Sequence, residues 1–194
     1  MTFTLQQNIY IEPHDLIVVD DVHESFVFPL VLWRLLDSAQ GGAVGMAAMY
    51  HPDCSLSSLA FATLTRALVV HFSAPPNHWQ RKKDAQEQRP IDIRARILLR
   101  DHILSDPNIQ LYGYRTDKIV IALFLELSLR INAAVDILSV SSDRHDRRSL
   151  QAIMNALGGE LLLQKENVGI LFRDDALATK DMALQAWAAC RAAT

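Results

Sequence analysis

Cysteine is scarce in this chain of 194 residues, with only Cys54 and Cys190. Two thiols so far apart exclude a disulfide framework and a zinc ribbon, and they set the expectation of a reducing, cytoplasmic compartment. Glycine is also sparse, at seven residues. No glycine-rich loop ends in Gly-Lys-Ser/Thr, which removes the backbone cradle that phosphate-binding loops use. No Gly-x-Ser-x-Gly turn presents a nucleophilic serine, and no histidine pair has His-x-x-x-His metal spacing. Long apolar runs are missing too. The stretch from Ile119 to Leu125 is cut off by Glu126 and Arg130, far short of the ~20 residues that span a bilayer. The start, MTFTLQQNIYIEPHD, has an acidic flank and no apolar stretch followed by a cleavage site, so neither a targeting signal nor a membrane partner is expected.

What is present suffices for a packed core. Hydrophobic residues make up 50% and charged residues 21% of the chain, which excludes disorder and low complexity as the main state. The opening residues alternate around Phe3, Leu5, Ile9 and Ile11 as an extended stretch, and Leu16-Ile17-Val18-Val19 reads as a strand buried on both faces. Ser25 is expected to cap a helix with Pro29 in its first turn, an apolar stripe of Phe26, Leu30, Trp33, Leu35 and Leu36, and a stop at Gly41-Gly42. Strands are expected over 43–50 and 68–72 with a helix over 55–66 between them. That alternation implies a mainly parallel sheet.

Further along, 73–90 reads as an exposed loop, 91–104 as a helix and 109–114 as a strand. Residues 116–132 suit a helix or a strand equally. A strand over 135–140 and a helix over 146–157, closed by Gly158-Gly159, come next. Leu161–Leu163 and Val168–Phe172 are expected to pair as an antiparallel hairpin before a last helix over 175–192. The expectation is one α/β domain over 1–194. It has three layers, a mainly parallel sheet with helices on both faces, and a C-terminal antiparallel hairpin plus helix.

The net charge of −3 conceals polarity. Residues 1–60 carry seven acids against Arg34 alone, whereas residues 81–100 carry seven bases (Arg81, Lys82, Lys83, Arg89, Arg94, Arg96, Arg100) against three acids. Such a division favours an oriented partner, a self-complementary assembly or a nucleic acid.

The sharpest local feature is Leu16-Ile17-Val18-Val19-Asp20-Asp21-Val22-His23-Glu24-Ser25, a buried strand running into acids before a helix. Ligands of open α/β sheets bind at the carboxyl ends of strands, where these acids are expected. Asp20, Asp21, Glu24 and His23 are therefore candidate catalytic groups, with Asp20 and Asp21 candidate metal ligands. The same acids equally serve to cap the helix and complement its positive end. The segment resembles the start of a response-regulator receiver domain, which implies paired acids holding magnesium beside a phospho-accepting aspartate; Asp53 is the candidate acceptor. It also resembles the acid-ended strand of a nucleoside triphosphatase, where an acid positions magnesium. With the phosphate loop missing, that second likeness implies a degenerate RecA-like fold. No cofactor is expected beyond magnesium, and magnesium only if the acid cluster is functional.

The bases supply a second set. Lys82, Lys83, Arg89, Arg94, Arg96 and Arg100, with Trp79 nearby, offer phosphate contacts and a stacking surface. Arg144, Arg147 and Arg148 precede a helix start that can hold an anion. Three functions follow. The leading one is a non-catalytic cytoplasmic subunit or adaptor, docking onto protein partners or a second copy of itself through its acidic N-terminal face and basic central segment. The alternatives are a magnesium-dependent phosphoryl-transfer or nuclease-like enzyme using the acids after the first buried strand, and a nucleic-acid-binding accessory factor.

Overall fold

The computed structural model describes residues 1–12, 16–73, 90–140, 149–172 and 178–194. Seven strands form one sheet: β1 (Thr2–Leu5), β2 (Ile17–His23), β3 (Ala43–Tyr50), β4 (Leu56–Ala62), β5 (Arg66–His71), β6 (Gln110–Gly113) and β7 (Ala134–Asp136). Their order is β1-β2-β5-β4-β3-β6-β7. The sheet is mixed. The pairs β2·β5, β3·β6 and β6·β7 are parallel, and β1·β2, β5·β4 and β4·β3 are antiparallel. Helices among the described residues are α1 (Pro29–Asp37), α2 (Pro90–Leu99), α3 (Thr116–Leu127), α4 (Leu150–Ala156), α5 (Lys165–Leu171) and α6 (Thr179–Ala193); α2 continues into a π-helical turn, Arg100–Leu104.

The α/β class and the three layers match the expectation. Successive side chains of a strand point to opposite faces, and here the faces differ in residue size. Toward α4, α5 and α6 the central strands present Ala47, Ala60, Ala62, Ala67 and Val69. Toward α1, α2 and α3 they present Val44, Met46, Leu59, Phe61, Leu68 and Val70. The small-residue face lets α6 lie unusually close to the sheet through its own Ala183, Ala186 and Ala189, all fully buried. Gly45 marks the closest approach: a Cβ there would sit 1.8 Å from the Ala186 carbonyl oxygen and 2.7 Å from Cys190 N. Trp187 then anchors the helix. Its indole N–H donates to Leu64 O at 2.9 Å, and its ring meets Tyr10 edge-on, while Tyr10 Oη donates to Leu157 O.

Four expectations are corrected. Residues 55–66 are not a helix but hold β4, which pairs with both β3 and β5 and is buried on both faces; full burial erases the alternation that marks a strand, and Leu56 with Leu59 then mimics helical spacing. The C-terminal antiparallel hairpin is replaced by a 3₁₀ turn (Glu160–Leu162) and α5. On α5, Val168 and Leu171 are buried while Ile170 is 57% exposed, which is helical sidedness, and the only strand-like contact recorded is the bridge Tyr10↔Leu163. The third correction is that β2 does not stop before its acids: Asp20 and Asp21 are ladder residues opposite Leu68 and Val69 of β5. Finally, α1 begins at Pro29 after an extended Phe28, with Ser25 bonded to the His23 ring instead of capping it. Of its expected stripe, Leu35 is buried, whereas Phe26, Leu30 and Trp33 are exposed.

Of the open segment 116–132, Thr116–Leu127 is helix, as α3, which ends at a left-handed Ser128. The Thr116 amide donates to the Asp136 carboxylate, so a residue at the end of β7 caps α3. Ser149 caps α4 by accepting from Ala152 N at 3.1 Å. The expected loop falls, over 74–89, outside the described residues, as do 141–148. No helix among the described residues is long and apolar enough to cross a membrane.

Candidate functional site

The structure disperses the acids of β2 onto separate partners. Asp20 is 6% exposed, accepts from Thr2 Oγ1 at 2.7 Å and pairs with Arg66 Nη2 at 3.2 Å. Asp21 Oδ1 lies 2.6 Å from His71 Nε2, and His71 Nδ1 lies 2.8 Å from Ser58 Oγ. Glu24 is fully buried; it accepts from Ser73 N at 2.9 Å and faces Arg96 Nε at 3.5 Å. His23 is exposed between Ser25 Oγ and Ser73 Oγ. Asp53 sits apart in the β3–β4 turn, where hydrogen bonds from the Ser55 hydroxyl and amide hold its carboxyl below the usual range.

A carboxylate already matched by a cation or a donor has few lone pairs left for a metal. Among the described residues no group of three or more His, Cys, Asp or Glu side chains can hold a metal ion. The aspartate, histidine and serine in line across β2, β5 and β4 are the residue types of a nucleophilic triad. Ser58, however, has no exposed surface, which seals its hydroxyl from any substrate.

The bases fare similarly. Arg96 turns inward to Glu24, Arg100 pairs with Asp101 at 2.7 Å, and Arg94 is exposed. Lys82, Lys83, Arg89, Arg144, Arg147 and Arg148 lie outside the described residues. The Glu24–Arg96 pair joins the acidic first third to the basic central segment within one molecule.

A different place stands open. A cavity of about 860 Å³ lies at the carboxyl ends of the parallel strands β3 and β6, bounded by Tyr50, His51 and Pro52 after β3, Tyr114 and Arg115 after β6, and the outer face of α3. Its apolar wall includes Met46, Met49, Ile121 and Leu125, and Leu138, Phe172 and Gln185 close the far side. This is the position at which open α/β sheets take ligands, and the volume suits a small molecule or a nucleotide.

Three residues of this lining carry a buried polar atom with no hydrogen-bond partner among the described residues: Tyr50 Oη, His51 Nε2 and Tyr114 Oη. Burial, reinforced by the Glu126 and Asp117 carboxylates, pushes the Tyr50 phenol up to about 12; burial raises Tyr114 further. Backbone strain collects here as well. Arg115 (φ 58°) and Cys54 (φ 66°) both line the cavity in the left-handed region, which non-glycine residues rarely adopt. Glu126 is the one acid on the described lining, and its Oε2 accepts from Leu56 N at 2.7 Å.

Sequence reasoning missed Tyr50, Tyr114, Lys118 and Glu126. The available signal was the same carboxyl-end rule applied to β3, whose Tyr50-His51-Pro52 follows a buried strand just as the acids of β2 do.

The fold is that of α/β exonuclease domains. The chain is similar to NrnC of Brucella melitensis at TM-score 0.50 and 14% identity, over 90% of this chain and 78% of that one. It is also similar to the EXO domain of Nibbler from Aedes aegypti at TM-score 0.53 and 14% identity, over 90% and 84%. A looser likeness, at TM-score 0.41, is to the EXD2 exonuclease domain, at 14% identity over 90% and 86%. No protein-family model and no curated protein matches the sequence.

The first two neighbours, both exonuclease-type structures, overturn the leading expectation of a non-catalytic subunit docking onto proteins or itself. The structure adds a physical reason: of the charges meant to form the two docking faces, Glu24 and Arg96 pair with each other, Asp20 pairs with Arg66, Asp21 with His71, and Arg100 with Asp101.

Proposed function

We propose that this chain is a nuclease-like protein whose cleft receives the end of a nucleic-acid strand. The observation that carries the reading is the cavity of about 860 Å³ at the carboxyl ends of β3 and β6, in a fold shared with exonuclease domains. An apolar wall suits a base, and Lys118 at the rim suits a phosphate. Phosphodiester hydrolysis by magnesium on Asp20 and Asp21 has less support, because Arg66, Thr2 and His71 already occupy those carboxylates. The scarcity of cysteine supports a cytoplasmic setting.

The test is fluorescence anisotropy with labelled single-stranded DNA and RNA, accompanied by electrophoresis of the same samples for shortened products. Saturable binding lost in Leu125→Glu, a substitution on an exposed side chain of the cavity rim, is the expected result. Binding that survives both Leu125→Glu and Ile121→Glu sends the nucleic acid elsewhere and refutes the reading.

A further inference from the structure

We propose that the cleft holds its strand end without a divalent metal, with Lys118 supplying the positive charge that a metal ion would otherwise bring to the phosphate; this rests on the preceding reading that a strand end is the ligand. Magnesium and manganese at a phosphodiester are held by carboxylates in addition to substrate oxygens. The described lining offers Glu126 alone, already committed to the Leu56 amide.

Nor is there space deeper in. Below the cavity, α6 presses onto β3 so tightly that a single Cβ on Gly45 would meet the Ala186 carbonyl oxygen at 1.8 Å. A carboxylate pair and an ion cannot fit between those two elements.

The groups that do face the cleft have the opposite character. Lys118 carries three ammonium donors at the rim, and the Tyr50 and Tyr114 side chains line the wall with their hydroxyl oxygens buried. The Lys118 ammonium complements a ligand rich in acceptor oxygens and repels a hard cation. Met46, Met49, Ile121 and Leu125 provide contact surface for one base.

The experiment uses the full chain, so the acids at 143, 146, 174 and 175, outside the described residues, are present. Anisotropy of a fluorescein-labelled single strand is titrated in EDTA and again in millimolar magnesium or manganese, and manganese binding alone is followed by electron paramagnetic resonance. The expected result is equal affinity in all three conditions, no saturable manganese site, and binding about tenfold weaker in Lys118→Glu. Tighter binding with metal by tenfold or more, or a stoichiometric manganese site, overturns the inference while the strand-end reading stands. No binding under any condition refutes the strand-end reading itself.

Discussion

Asp21 and His71 meet diagonally across the parallel β2·β5 pair, with Oδ1 2.6 Å from Nε2. A carboxylate only accepts, so Nε2 carries a proton, and in the neutral imidazole Nδ1 accepts from the Ser58 hydroxyl at 2.8 Å. Three strands are thereby tied by side chains as well as by the backbone ladder. Ser58→Ala leaves Nδ1 without its donor and is expected to cost about 1 kcal/mol. Urea denaturation should show a lower midpoint at an unchanged slope, with strand binding intact; a loss of binding would move this line of residues into the functional site.

Glu24 is the fully buried end of a charge pair whose other member, Arg96, is partly exposed. Glu24→Ala strands the Ser73 amide and the arginine together, and about 2 kcal/mol of stability is the expected loss. Glu24→Gln keeps an acceptor for Ser73 and should lose less. Equal losses from both substitutions would assign the effect to charge alone.

Gly45→Ala drives a methyl group into the backbone of α6. Because the obstacle is a carbonyl oxygen and not the end of a flexible side chain, the expected cost is about 3 kcal/mol. Chemical denaturation measures it, and a cost below about 1 kcal/mol would show that the helix yields readily.

Tyr50 gives the alkaline limb. Its phenol titrates near 10 when unfolded and at about 12 when folded, with burial the main cause. The folded state therefore favours the neutral phenol. Its contribution is fully present below about pH 10 and is lost as pH rises from there through about 12. Tyr50→Phe should flatten the melting temperature over that window. At neutral pH the substitution should be neutral or slightly stabilising, since the hydroxyl has no partner to lose. A marked destabilisation at neutral pH would mean that the hydroxyl is already satisfied.

The parts legible in the sequence are those where local pattern and tertiary role agree. The strand at Ala43–Tyr50 is bounded by glycines and apolar on both faces, and the stop at Gly158-Gly159 uses two left-handed glycines. Leu56–Ala62 failed because a strand buried on both sides loses its period, and its leucines and alanines are good helix formers. Val168–Phe172 failed for the opposite reason: β-branched residues suggested a strand, yet the segment packs beside α4 and α6 as a helix.

The acids of β2 were visible as a motif, but their commitments to Arg66, His71 and Arg96 depend on side chains up to 72 positions away, as for Glu24 with Arg96. The cleft was invisible for the same physical reason. It draws residues from 46 to 185, and its character lies in apolar walls and unpaired hydroxyls that no local motif encodes.

The sheet ends on both sides in brief strands, β1 with four residues and β7 with three. A strand rim exposes a row of unpaired amides and carbonyls that can recruit foreign chains, and the hazard grows with the length of flat backbone on offer. Rims this short offer little backbone for fibril growth or strand exchange. The longer, largely apolar strands β3, β4 and β5 are kept in the interior of the sheet, where every neighbour is already taken. The same order that brings β3 and β6 together for the cleft therefore also shields the most aggregation-prone segments of the chain.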